Sequence, residues 1–513
     1  MSMRRLSTAN ELLYPMCVLP CRSFLDVDVW AQFGGIVPCH QQLLQAGLLV
    51  TWEPHLHLGP VAFISHQWMG IEHADKNFSQ LAVLRTFMQR IRDGKITRIL
   101  RDWLIELAYK DSKFARVLEE DELQEWITDG FLWYDYFSIP QTVGYDLDPG
   151  PALMNAVNSI PAYIEHCDHF VVLCPPLEHE TNLDEVGKPA IVDYASWSHR
   201  GWCRAETAVR MLARNSGPLI KVDSAAGTPV ILTPFETWHC LPGDGMYSCC
   251  ERDHRFPRTG PDGSVDMVHV ECDKIKIAAI MHSLVDAKVQ TLLSELDCAQ
   301  RRGADDASAA DKALGELRWI LAIRKHMLSG LERYSIDGHN DTSTRRPEAS
   351  DTPAEACRAF LGEFHFDVAT VDGSTEDHRS GLTPLRYAVI SNNLAAAKEL
   401  IRRGADVEAP LAKDCHEKGG IAGRTALFDA AQYGTVEMVQ LLLEHGVNGA
   451  AVDRTSMTAA NFACYGEKVE ILKELLGRVP ALIRKRGDFG HTILMTALVS
   501  QQGRRAGACA MEL

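Results

Sequence analysis

No apolar run in the chain approaches the ~20 residues that a helix needs to cross a bilayer. The N-terminus does not read as a secretory leader either, because its apolar part is preceded by Glu11 and broken by Pro15 and Pro20. The expectation is a chain without a membrane span, located in the cytoplasm. Positive charge is also short: 52 Lys and Arg against 68 Asp and Glu leave a formal charge of −16. A phosphate-backbone binder gains its affinity from dense basic patches, so nucleic acid is not an expected partner. The 15 cysteines are scattered over 513 residues, without the regular framework of a small secreted domain. That usage suits a reducing compartment. Paired C-x2-C knuckles are missing too, so the group His239, Cys240, Cys249, Cys250, His254 and Cys272 is expected to be free side chains in a folded loop, with no joint metal site.

A chain of this length exceeds one hydrophobic core, which predicts two or three domains. In the N-terminal half, short apolar runs alternate with helical periodicities. Strands are predicted at 60–68, 131–141, 169–176, 218–224 and 228–234. Helices are predicted at 75–91, 97–109, 112–128 and 151–167, the last kinked or broken at Pro161, and from Gly201 onward. This alternation predicts an α/β parallel sheet flanked by helices. Long helices at 272–300 and 308–332 form a helical extension, and the polar stretch 337–353 reads as a linker.

Beyond the linker the sequence repeats. "GLTPLRYA", "GRTALFDA", "SMTAANFA" and "GHTILMTA" align on Thr383, Thr425, Thr458 and Thr492, at intervals of 42, 33 and 34 residues. The long interval carries the insertion "LAKDCHEKGG" at 411–420, expected to project near a binding surface. Each threonine is placed to cap a helix, Pro384 sits where its missing N–H costs nothing, and Ala388, Ala430 and Ala463 permit close helix approach. Leu385 and Leu427 complete the pattern, and Gly404, Gly446 and Gly477 are expected to end the second helices. This region resembles ankyrin repeats, an all-α solenoid of about four repeats here, the last incomplete or atypical. The resemblance implies a protein partner bound through the repeats.

The N-terminal half carries a second resemblance. "FISHQW", "WYDYFSIPQ", "HFVVLCPP" and "RGWCRAE" follow one another as in the Toll/interleukin-1 receptor (TIR) domain, over roughly residues 58–235. The distances from Trp68 to Trp133 and from Cys174 to Trp202 are longer than that family's, and Ser138-Ile139-Pro140-Gln141 replaces its Gly-bearing turn. The resemblance implies a TIR/flavodoxin-like fold, self-association into a homo-oligomer, and NAD as a substrate rather than a cofactor. Residue by residue it makes Glu206 the catalytic carboxylate of NAD glycohydrolysis. An anion aimed at the ribose lowers the barrier to an oxocarbenium-like transition state, and no metal is required. The bland reading of Glu206 is a first-turn acid held ionised by the helix dipole, worth about 0.3–1 kcal/mol.

Ligands of open parallel sheets bind beyond the carboxyl ends of the strands. Candidate substrate-binding residues there are Ser65, His66, Trp68, Asp135, Tyr136, Trp197, Arg200 and Trp202. Trp202 favours core packing, Trp197 and Tyr136 are balanced between core and exposure, and the arginines are more often solvated or paired. The map is an N-terminal segment (1–57), a TIR-like domain (58–235), a Cys/His-bearing loop with a helical extension (236–335), a linker (336–353) and ankyrin repeats (354–513). A signalling NAD hydrolase, a non-enzymatic adaptor acting through both domains, and a nucleotide switch without turnover all fit this map.

Overall fold

A computed structural model describes residues 11–56, 58–71, 73–101, 117–141, 150–184, 186–214, 217–232, 241–259, 264–302, 307–334, 352–367, 380–412, 420–466, 468–487, 490, 492–499 and 509. Two compact units divide the chain, Met1–Leu284 with Gly330–Tyr334, and Val285–Ser329 with Ser335–Leu513. Most of the predicted helix 97–109, part of that at 112–128, most of the linker, the centre of the 411–420 insertion, His239 and Cys240 lie outside the described residues.

The first unit is built on an eight-stranded sheet. Its strands are β1 (Met16–Pro20), β2 (Val50–Trp52), β3 (Val61–His66), β4 (Leu100–Arg101), β5 (Phe131–Tyr134), β6 (His169–Leu173), β9 (Leu219–Val222) and β10 (Val230–Leu232). The segments Leu177–Leu183 (β7) and Pro189–Val192 (β8) form a separate hairpin, as do Arg255–Thr259 (β11) and Val265–His269 (β12). The sheet order is β2-β1-β5-β3-β6-β9-β10-β4. The pairs β5/β3, β3/β6 and β6/β9 are parallel, whereas β1 joins β5 antiparallel and β10 joins β9 antiparallel. The sheet is therefore mixed rather than wholly parallel. The extra edge strands β1 and β2 come from residues 1–57, a segment too irregular in hydropathy to predict as strand.

Every residue of β3, β5 and β6 is buried, as expected of strands covered on both faces. Alternation sorts their side chains. Ala62, Ile64, Leu132, Tyr134, Val171 and Leu173 join one core with Leu81, Leu84 and Met88 of the helix Ser79–Arg92 and Trp126 of the helix Glu120–Asp129. On the other face Phe63 stacks between Trp133 and Phe170, at 4.5 and 5.1 Å, and Trp133 meets Tyr163 of the helix Ile160–His166. The helix predicted over 151–167 is broken at Ser159, where Pro161 becomes an N-terminal residue of the second piece. Beside it runs the helix Gly201–Leu212. Its buried Arg210 donates to the carbonyls of Ile164, Cys167 and Asp168, capping the end of the neighbouring helix.

In the second unit successive helix pairs form where the repeats predict them: Pro384–Ile390 with Leu394–Arg402, Ala426–Tyr433 with Val436–Glu444, and Ala459–Tyr465 with Val469–Arg478, followed by Ile493–Val499. Ala388, Ala430 and Ala463 are fully buried. Thr383 and Thr492 accept the N–H bonds of Arg386 and Met495, and Thr458 is held by the Asn461 carboxamide. Thr425 differs, since its buried hydroxyl has no hydrogen-bond partner among the described residues and does not cap its helix. Gly404 and Gly446 take positive φ angles of 93° and 90° at helix ends. Gly477 does not, because its helix continues to Arg478 and stops before Pro480.

Neighbouring repeats are joined by a ladder. The residue three positions after one repeat's threonine meets the residue four positions after the next: Arg386 with Asp429, Phe428 with Phe462, and Asn461 with Thr496. The first pair is bidentate, at 2.6 and 3.1 Å, with side chains 3% and 12% exposed. Asp429→Ala leaves a buried guanidinium without its counter-ion and is expected to cost about 3–5 kcal/mol. Hydrogen exchange across 384–390 and 426–433 checks this, with faster exchange in both helices as the expected outcome.

Candidate functional site

The carboxyl ends of β3, β5 and β6 meet where the strand order reverses, beside the helix Gly201–Leu212. Ser65 and His66 are consecutive on β3 and leave the sheet in opposite directions. The Ser65 hydroxyl donates to Glu206 Oε2 at 2.6 Å and accepts the indole N–H of Trp197 at 3.1 Å. On the other side, His66 stacks on Tyr134 with centroids 4.1 Å apart, and its Nε2 lies 2.8 Å from Asp135 Oδ1. Asp135 starts a one-turn helix directly after β5, accepting the Tyr136 N–H and, on its other oxygen, the Trp68 indole N–H at 2.8 Å. The Cys203 thiol closes the group by donating to the His66 carbonyl.

These contacts set the proton affinities. Burial pushes the Glu206 carboxyl up to about 8, with the Ser65 hydroxyl bond and His66 opposing and Asp135 adding to the rise. Burial would also raise Asp135, yet His66 and the indole and amide donors hold it below the usual carboxylate range. For His66, burial opposes protonation but Asp135 and Glu206 outweigh it, and its affinity rises. The end of the sheet thus pairs Asp135, held toward its ionised form, with His66, whose proton affinity is raised, next to a Glu206 that keeps its proton near neutrality.

Glu206 is not a first-turn acid. It is the sixth residue of its helix, whose first turn carries no acid, so the dipole does not hold it ionised. Of the predicted substrate contacts, Ser65, His66, Asp135 and Glu206 come together. Trp197 and Tyr136 are buried at 2% and 4% exposure and act as walls, while Trp68 is partly exposed and packs edge-on against Tyr136. Arg200 and Trp202 turn away from the cleft: Arg200 donates to the Ser248 hydroxyl, and Trp202 donates from its indole to Asp273 Oδ2 at 3.1 Å. The sequence reading missed this second side of the helix. Arg204 bonds the carbonyls of Ser198 and Leu241, and Gly201 lies directly under the Tyr247 ring. The signal was Gly201 itself, a glycine inside a helix start that no capping rule asks for.

The repeat unit has its own surface. A cleft lined by Trp319, Leu411, Gln432 and Tyr433 lies beside the 411–420 insertion. A family model of ankyrin repeats in three copies matches residues 409–482, and a single ankyrin repeat model matches 380–411. A putative ankyrin repeat protein of Fowlpox virus (strain NVSL) is 30% identical over 136 residues, covering 22% of this chain and 93% of the viral protein. The chain belongs to the ankyrin-repeat proteins. Rabankyrin-5 of Mus musculus and of Homo sapiens are 32% and 31% identical over 129 residues, a quarter of this chain and 11% of each relative. This chain therefore spans only a small part of Rabankyrin-5. The ankyrin matches do not extend into the α/β unit. In the ankyrin signature the histidine position holds Arg386, Phe428, Asn461 and Met495, and three of these four are the ladder residues.

Two outcomes are expected. Gly201→Ala drives a methyl into the Tyr247 ring and should cost about 1–3 kcal/mol, read as a lowered melting temperature. Glu206→Gln should change the pH dependence of stability. From the ordinary carboxylate range up to about 8 the folded wild type binds more protons than the unfolded chain, so this group's contribution falls as pH rises through that window. Melting curves should therefore favour the Gln variant over wild type more at about pH 9 than at about pH 5.

Proposed function

We propose that this protein recruits a protein partner through its ankyrin repeats and that its α/β unit is a TIR-like domain cleaving NAD to nicotinamide and an ADP-ribose product at Glu206. The observation that carries the reading is the placement of Glu206. It lies at the carboxyl ends of the parallel strands, partly exposed, and its partners among the described residues are Ser65, Asp135 and His66 rather than a lysine or arginine. A carboxylate with no lysine or arginine partner among the described residues, and with its neighbouring His66 bonded to Asp135, is available to a cationic substrate. Cleavage of the ribose to nicotinamide bond releases a neutral base and leaves positive character on the sugar, which an ionised Glu206 stabilises. Ser65 orients the carboxyl group. His66 and Asp135 neutralise one another beside it and keep Glu206 from facing a second unpaired anion.

The adaptor reading is favoured by a separate observation: Trp197, Tyr136, Arg200 and Trp202 are occupied by packing or by contacts elsewhere, which leaves Trp68 as the partly exposed aromatic at this edge. On that reading the α/β unit binds its own kind or other TIR-like domains without turnover, and the protein is located in the cytoplasm on either.

Incubating the full chain with NAD, under conditions that allow self-association, and following nicotinamide release decides between them. The expected result, at NAD concentrations well below saturation, is release that rises with pH through about 8, because the reaction uses the ionised carboxylate and this rate reports the free enzyme. Glu206→Gln, folded by circular dichroism, should abolish it. Release that survives in the folded variant removes Glu206 as the catalyst, and no release from the assembled wild type favours the adaptor.

A further inference from the structure

Cysteine and histidine residues that sequence spacing left apart converge on the outer side of the helix Gly201–Leu212. Cys249 and Cys250 are adjacent in the short helix Ser248–Glu251. The chain then turns back through Asp253 and His254, both in the left-handed region at φ 51° and 56°, a conformation uncommon without glycine. The His254 amide donates to the Cys249 carbonyl, and its own carbonyl accepts from Val270, which closes the β11/β12 hairpin. That hairpin returns the chain to Cys272, immediately before the helix Asp273–Arg302. The spacing argument against a joint site fails because a whole hairpin separates His254 from Cys272 in sequence but not in space.

One donor atom from each of Cys249, Cys250, His254 and Cys272 lies within 4.8 Å of all the others. Cys250 Sγ is 3.6 Å from Cys272 Sγ and 3.7 Å from His254 Nε2. Tetrahedral zinc, with Zn–S bonds of ~2.3 Å and Zn–N of ~2.0 Å, places sulfurs about 3.8 Å apart and sulfur and nitrogen about 3.5 Å apart. These separations match such a tetrahedron and exceed the ~2.05 Å of a disulfide. We infer that Cys249, Cys250, His254 and Cys272 bind a structural zinc ion.

Three soft sulfurs with one imidazole select zinc over the hard cations, which take oxygen. The Asp273 amide N–H points at Cys249 Sγ at 3.4 Å, an outer hydrogen bond of the kind that steadies a thiolate ligand. Zinc binding releases the thiol protons to solvent and holds the resulting thiolates by attraction to one ion. The bound metal would fasten the hairpin to the segment that Arg200, Gly201 and Trp202 grip through Ser248, Tyr247 and Asp273.

The test uses the full chain, purified under thiol reductant and analysed for metal after gel filtration. About one zinc per chain is expected. Cys250→Ser and Cys272→Ser should lose it, and Cys298→Ser, at an exposed cysteine outside the group, should keep it. Since loss of a ligand can unfold the region, wild-type protein reconstituted with cobalt gives a second readout. Thiolate-to-cobalt charge transfer with an intense tetrahedral visible spectrum supports the site. A zinc content far below stoichiometric after reconstitution, a pale octahedral cobalt spectrum, or a Cys250 to Cys272 disulfide in the reduced preparation overturns it.

Discussion

The arrangement of the α/β unit depends on the complete burial of β3 between two parallel neighbours. A six-residue strand covered on both faces must alternate its side chains between two cores, so the two polar residues at its carboxyl end cannot share a side. Ser65 follows Phe63 toward the helix Gly201–Leu212, and His66 follows Ile64 toward Tyr134 and Asp135. Two carboxyl groups are thereby held at one sheet end by different partners. Asp135 receives the His66 imidazole and two N–H donors, whereas Glu206 receives a hydroxyl, and their proton affinities move in opposite directions.

The stretch "RGWCRAE" works as a joint with two sides. Helical periodicity sends Cys203 and Glu206, three apart, toward the sheet, while Arg200 and Arg204, four apart, reach the 241–250 segment. Gly201 permits the close approach of Tyr247 on which the second side rests. Packing joint and candidate catalytic corner are therefore not alternatives for this sequence, because successive residues belong to different faces.

Legibility in the sequence followed how local each determinant was. The threonine spacing of the repeats and the apolar runs of β3, β5 and β6 are local patterns, and the elements formed there, although the strand expected over 131–141 stops at Tyr134, where Asp135 begins a helical turn. The strands β1 and β2 were not legible, since three to five residues of mixed character acquire strand structure only by pairing with β5 and each other. The convergence of Cys250 with Cys272 needed two consecutive left-handed residues, Asp253 and His254, a conformation those residue types adopt more often than most but too rarely to be read from sequence. Within the repeats the capping positions were readable, but Thr425 carries the residue without making the bond. What pairs across repeats was not readable at all: an ion pair, an aromatic pair and an amide with a hydroxyl occupy equivalent positions, so geometry is common to them and chemistry is not.

The raised proton affinity of Glu206 bears directly on the proposed chemistry. A carboxyl group that keeps its proton near neutrality cannot stabilise an oxocarbenium-like sugar, so the proposed reaction requires that Glu206 first lose its proton. Nicotinamide in NAD is attached as a pyridinium cation. A positive charge brought close to Glu206 acts on its proton affinity as His66 already does, lowering it, and in a low-dielectric space that attraction is strong enough to oppose the desolvation that disfavours ionisation. On the proposed reading the substrate itself ionises the catalyst. A neutral analogue of the same shape would leave the proton in place, so on that reading the discrimination between cationic and neutral ligands follows from burying this carboxyl beside a His66 that is itself bonded to Asp135.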